Sequence, residues 1–186
     1  SCQGSNDPCL VGDPVDTSKG AAVDQTLDFR LTGPLELWWM RHYDSSQSHL
    51  RFALGWGHTH DFDRRLRFDA DGLRYVAPLG RVIGFQPLLQ NNDECARDGY
   101  LLRRISLLRY ELYHHGDPAM EFQFRDLREP ARLKRLFKRR DEIIFEYDKH
   151  GRWKRIVDSA GRRIKVIEEV DGRIISLTLG GPRDKP

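Results

Sequence analysis

His58-Thr59-His60 places two imidazoles two residues apart, hence on one face of any strand that carries them, with Asp61 and Asp63 close behind. Such a pair can supply two ligands to zinc or another transition metal, but a tetrahedral site needs four partners, or three and a water. The other histidines, His42, His49, His114, His115 and His150, stand at no ligand spacing. His58 and His60 are therefore weak metal candidates, read first as histidines on a strand surface, and no metal or cofactor is expected.

Nucleophilic catalysis needs a Ser or Cys beside an oriented base. Cys95 lies in Asn91-Asn-Asp-Glu-Cys95-Ala-Arg-Asp98, which reads as a polar loop, and Cys2, Cys9 and Cys95 leave one thiol unpaired under any connectivity. A reducing place of synthesis follows. Adjacent acids occur at Asp61 with Asp63 and at Glu168 with Glu169, but a hydrolytic pair must face across a cleft. Gly55-Trp-Gly57 lacks the remaining positions of a phosphate loop. No catalytic residue is assigned, and the chain is not expected to be an enzyme.

Arg132, Lys134, Arg135, Lys138, Arg139 and Arg140, with Phe137 among them, are the densest cationic run and could neutralise phosphates. Asp126, Glu129, Asp141 and Glu142 bracket the run. Over the whole chain 31 Lys and Arg meet 28 Asp and Glu, a net charge of +3, with 24 Arg and 7 Lys. Arg interleaved with acids fits cross-strand ladders as well as phosphate contacts. Nucleic acid is thus not the expected partner; a free-standing basic β module that binds RNA or another polyanion is the alternative.

The elements that would hold these residues follow from period. At 186 residues, 39% hydrophobic, the chain can build a core. Leu35 to Met40, interrupted by Glu36, is its longest apolar stretch, far short of the roughly 20 residues of a membrane-spanning helix. Leu27, Phe29 and Leu31, then Leu66 and Phe68, then Ile143, Phe145 and Tyr147 alternate with polar residues, which predicts strands. Asp69 to Gly72, Asp148 to Gly151 and Asp158 to Gly161 share the spacing of a type I turn, and Asp171-Gly172 continues the series. From Ile143 to Leu179 the chain reads as an antiparallel meander. Asp126 to Asp141 fits an amphipathic helix starting near Pro130 or a strand flanked by charges; the strands that follow favour strand. Trp38, Trp39, Trp56 and Trp153 are the expected covered anchors, each able to bury some 150 to 250 Å².

Phe145-Glu146-Tyr147-Asp148-x-x-Gly151-Arg152, echoed by Asp158-Ser-Ala-Gly161-Arg162, resembles the YD repeat of the Rhs family. The front of the chain, Gly12-Asp13-Pro14-Val15-Asp16-Thr17-Ser18-Lys19-Gly20, then Leu31-Thr-Gly33-Pro34-Leu35-Glu36-Leu37, Tyr43 to Ser46 and Gly55-Trp56-Gly57-His58, is similar to the opening of an Rhs core. The resemblance implies an all-β architecture of antiparallel hairpins and meander, part of a β shell that encloses a C-terminal toxin. Many such proteins are polymorphic toxins delivered by type VI secretion in interbacterial competition. It implies as partners the remainder of the shell, the enclosed toxin domain, secretion spike proteins and a chaperone, with synthesis in the bacterial cytoplasm and export into target cells. Toxin activity would lie in the C-terminal domain. Pro14, Val15 and Gly20 resemble the P-V-x-x-x-x-G-E segment at which some members are cut, with Ala21 in place of the Glu. The implied organisation is an irregular lead-in over 1–20, front-end core strands over 21–142, YD hairpins over 143–180 and a tail over 181–186.

Overall fold

Alternation of apolar and charged side chains sets the backbone almost throughout. In the run Arg163 to Ile167, Ile164 and Val166 are buried while Arg163, Lys165 and Ile167 are exposed, the two-residue period of a half-covered sheet. The computed structural model describes residues 10–11, 13–16 and 20–180, and it is all-β with antiparallel sheets and no closed barrel. No helix among the described residues is long and apolar enough to cross a membrane.

The front of the chain contributes β1 (Leu10–Val11), β2 (Asp13–Asp16), β3 (Ala21–Leu31), β4 (Leu37–Asp44), β5 (Arg51–Phe52), β6 (Gly55–Trp56) and β7 (His58–His60). Strands β1, β2, β3, β4 and β7 form one sheet in that order, and β5 pairs with β6. Residues 10–11 and 13–16 are thus strand where an irregular lead-in was expected. Pro14 and Val15 lie on β2 and Gly20 in the turn before β3; residues 17–19 of the processing motif, and 181–186 of the tail, are outside the described residues.

The large sheet comprises β8 (Arg65–Asp69), β9 (Gly72–Val76), β10 (Val82–Phe85), β11 (Glu94–Arg97), β12 (Tyr100–Ser106), β13 (Arg109–His114), β14 (Ala119–Gln123), β15 (Ala131–Lys138), β16 (Asp141–Tyr147), β17 (Trp153–Asp158), β18 (Arg163–Glu168) and β19 (Ile174–Gly180). From β11 to β19 each strand pairs with the next. The ambiguous segment is strand β15, and it is a branch point. Its Ala131 and Arg132 pair with Leu66 and Arg65 of β8, whereas Arg135 to Lys138 pair with β16. A helix would satisfy its own backbone and could not join three strands in this way.

One continuous core runs through both sheets. Trp39 of β4, Leu66 and Tyr75 of the β8–β10 arm, and Phe122, Phe145, Trp153, Ile156 and Ile164 of the meander all belong to it. Trp39 and Trp153 are buried, but Trp38 and Trp56, expected to be covered, are 44% and 59% exposed. Leu37 and Trp39 face inward, so on a regular strand Trp38 must face out. Trp56 sits in the two-residue strand β6, whose only partner among the described residues is the equally short β5.

Candidate functional site

The meander is organised around a turn that occurs three times. At the first, Asp148 N–H donates to Arg152 O (2.8 Å) and Gly151 N–H to Asp148 O (2.9 Å). The Asp148 carboxylate then accepts from the N–H groups of His150 (2.8 Å) and Arg152 (2.9 Å) and from Arg152 Nε (3.0 Å). At the second, Asp158 N–H donates to Arg162 O (3.2 Å) and Gly161 N–H to Asp158 O (2.9 Å), while the Asp158 carboxylate accepts from Arg162 N–H (2.9 Å) and Nε (2.6 Å). Gly151 and Gly161 sit at φ +80° and +81°, a conformation that glycine adopts without the Cβ penalty. Desolvation pushes the Asp148 carboxyl up, but hydrogen bonds from Arg152 and His150 together hold it below its ordinary value.

The third turn uses a different acid at the first position. Glu169 N–H donates to Arg173 O (2.8 Å), Gly172 N–H to Glu169 O (3.0 Å), and Arg173 Nη2 reaches the Glu169 carboxylate (3.0 Å). Asp171, which the Asp171-Gly172 pair had suggested as the turn former, instead accepts from Arg173 N–H (3.1 Å). The unit is therefore an acid, two residues, glycine and arginine, with the arginine folded back on the acid. Glu169 and Arg173 were missed by looking for Asp alone; the Arg that follows Gly151, Gly161 and Gly172 alike was the available signal. Asp69 and Gly72 differ, pairing directly across the β8–β9 hairpin with Arg74 reaching back to Asp69 (2.5 Å).

Each turn is also tied to another part of the chain. Arg125 Nη2 donates to Lys149 O in the first turn (3.0 Å). From the second, Arg162 Nη1 donates to Thr32 O in the β3–β4 connection (2.6 Å). At the third, Asp171 is ion-paired to Arg51, and Ile174 N–H donates to Ala53 O (2.7 Å). The front of the chain is thus bonded to the tips of the second and third hairpins, through Thr32 and through Arg51 and Ala53.

Tyr147, which precedes the first acid, donates its hydroxyl to Leu133 O (2.7 Å) beneath the Arg132 guanidinium, 5.5 Å from the ring centre. Burial pushes the Tyr147 phenol up. Its ring stacks on Trp153 (6.1 Å), and Trp153 lies against Trp39 (5.6 Å) and His60 (5.3 Å). This aromatic cluster is the hydrophobic half of the same junction.

His60 is accordingly a core residue and not a strand-surface histidine. It stacks on Trp39 at 4.5 Å, its Nδ1 accepts from Phe62 N–H (3.2 Å), and burial lowers its pKa from 6.5 to about 4. His58 packs on Tyr43 (4.7 Å) with Nδ1 against Trp56 O (2.8 Å). Among the described residues no group of three His, Cys, Asp or Glu is placed to hold a metal ion. A partly buried pair missed in the sequence joins His42 Nε2 to Asp61 at 2.7 Å.

The cationic run of β15 is partly engaged by carboxylates. Arg135 bridges Glu121 (2.8 Å) and Glu142 (3.1 Å), and Arg132 lies 3.5 Å from Glu168. Lys138 donates to Gly116 O (2.7 Å). Arg103 with Glu94 and Arg155 with Glu146 repeat the cross-strand pairing elsewhere. Cys95, expected in a loop, is a half-buried free thiol on β11; Cys2 and Cys9 lie outside the described residues.

No curated protein matches the chain. Residues 12–85, which hold strands β2 to β10, match the family model described as a domain of unknown function, DUF6531.

Proposed function

We propose that the chain is a structural segment of an Rhs toxin-enclosing shell: the front-end core and first YD hairpins of a polymorphic toxin made in the bacterial cytoplasm and exported by type VI secretion for interbacterial competition. The observation that carries the reading is the acid-x-x-Gly-Arg turn repeated at Asp148, Asp158 and Glu169 with the same two backbone hydrogen bonds and the arginine side chain returned to the acid. A unit repeated at this interval adds one hairpin rung per copy, which is how a wall is extended. The family match over 12–85 covers the same front segment whose motifs resemble an Rhs opening, and that segment is bonded to the hairpin tips through Thr32, Arg51 and Ala53.

The last strand supports the same reading. β19 has β18 as its only partner among the described residues, and its sequence, Ile-Ile-Ser-Leu-Thr-Leu-Gly, carries no charge. Leu177 and Leu179 pair with Val166 and Ile164, so they share the core-facing side, yet Leu179 is 55% exposed. An uncharged strand with an open edge and an inner face left uncovered at its end, Leu179, is a template for a further strand, here the next rung. On this reading the chain's work is mechanical and its partners are the rest of the shell and the enclosed toxin.

The mass of the native gene product tests this. The shell reading expects a polypeptide many times the 21.7 kDa of this chain, whereas a native product of this mass alone contradicts it. A second reading, a basic β module for RNA or another polyanion, draws on Lys134, Arg139 and Arg140, which have no carboxylate partner among the described residues. It predicts a steep fall of nucleic-acid affinity with salt, where the shell reading predicts no such binding.

A further inference from the structure

The hydrogen-bonded register between β17 and β18 runs only from Val157 with Arg163 to Arg155 with Lys165, although β17 starts at Trp153 and β18 continues to Glu168. The strands part because both flanks are bulged. Toward β16, Arg155 opposes Glu146 and Trp153 opposes Tyr147, which leaves Lys154 as the extra residue. Toward β19, Ile167 opposes Ser176 and Glu168 opposes Ile174, which leaves Ile175 extra. A bulge bends its strand and breaks the ladder locally. Where the ladder stops, the nearly buried Glu168 carboxylate takes the Trp153 N–H that a neighbouring strand would otherwise accept.

A groove of about 750 Å³ opens in this gap, with Trp153, Val166 and Ile167 among its apolar lining. That volume falls within the roughly 300–1,000 Å³ of ligand clefts. Its two acids are already engaged, Asp148 by Arg152 and Glu168 by Trp153 N–H and Arg132. Arg155 is held by Glu146. Lys154 and Lys165, both exposed, have no carboxylate partner among the described residues. The groove therefore combines strand backbone that has lost its neighbour, an apolar lining and two uncompensated ammonium groups.

We propose that this groove binds an extended acidic peptide segment of a partner protein. The peptide backbone takes up hydrogen bonding that β17 and β18 do not give each other, its apolar side chains lie on the exposed Ile167, and its carboxylates meet Lys154 and Lys165. This is strand addition at a gap inside a sheet, with charge selecting the sign of the guest. Nucleic acid fits less well: single-stranded bases need exposed aromatic faces to stack on, and Trp153 is only 7% exposed. The inference is independent of the shell reading, since it needs only the groove.

Fluorescence anisotropy of the full chain with a labelled short peptide of alternating Glu and Val tests it, beside the Lys–Val counterpart and a single-stranded oligonucleotide. The acidic peptide is expected to bind, more weakly as salt rises, and the Lys–Val peptide to bind far less. Lys154→Glu with Lys165→Glu should cut acidic-peptide affinity by about tenfold or more, because like charges then face each other. Lys154→Gln with Lys165→Gln should give a smaller loss with an unchanged melting curve, which separates binding from folding. Equal affinity for both peptides, no binding of the acidic one, undiminished binding by the charge-reversed variant, or displacement of the peptide by the oligonucleotide would each overturn the proposal.

Discussion

Arg162 Nη1 lies 2.6 Å from the carbonyl oxygen of Thr32, a residue 130 positions earlier, while its Nε holds Asp158 at 2.6 Å. One guanidinium thus closes a local turn and fastens the front sheet to it. Gly33 leaves the space for this reach: a Cβ there would come within 2.7 Å of Arg162 Nη2. Hydrogen bonds to a charged group contribute about 1.5–3 kcal/mol, so Arg162→Ala should destabilise the fold by about 2–3 kcal/mol. Gly33→Ala should cost about 1 kcal/mol in the native background and close to nothing beside Arg162→Ala, a coupling that a double-mutant cycle in denaturant measures.

The turn glycines separate backbone strain from crowding. At Gly161 a Cβ would meet nothing within 4 Å, so Gly161→Ala should cost only the left-handed penalty of about 1–2 kcal/mol, and Gly161→Asn should recover part of it. At Gly151 the Cβ would also lie 2.6 Å from Arg125 Nη1, so Gly151→Ala should cost more than its counterpart. Equal costs at the two sites would show that Arg125 does not hold the first turn.

The tryptophans should divide two and two. Trp39→Ala and Trp153→Ala should each lose about 3–5 kcal/mol by emptying the junction cluster, whereas Trp38→Ala and Trp56→Ala should stay within about 0.5 kcal/mol. Thermal melts of the four variants suffice.

His60 makes stability depend on mild acid. Its folded pKa of about 4 lies below the unfolded value of 6.5, so between these values the unfolded chain binds the extra proton. The stabilisation is complete above about pH 6.5 and is lost as pH falls toward 4, by about 3 kcal/mol at 1.36 kcal/mol per pH unit. Melting temperature followed from pH 7 to 4 should fall, and His60→Phe should flatten that fall.

Much of this was legible in the residues. Period-2 alternation around Ile143, Phe145 and Ile164 marks strands because one face of each must be covered, and Asp148 to Gly151 marks a turn because that spacing satisfies a turn's backbone locally. Two adjacent tryptophans at 38 and 39 cannot both face inward on a regular strand, so the same alternation argued against Trp38 as an anchor. The third turn was hidden by Glu169 standing where Asp stood twice before. The fastening of Arg162 to Thr32, the burial of His60 against Trp153 and the branch at β15 depend on contacts between distant segments, which no local pattern encodes.

Hydrogen exchange on the amides of Ile174–Gly180, compared between this chain alone and the native gene product, tests the shell account most directly. The account predicts fast exchange at the outward-facing amides of this strand in the isolated chain and strong protection in the native product, where the next rung pairs with it. Equal protection in both would mean that the edge is already satisfied within this chain and would contradict the account.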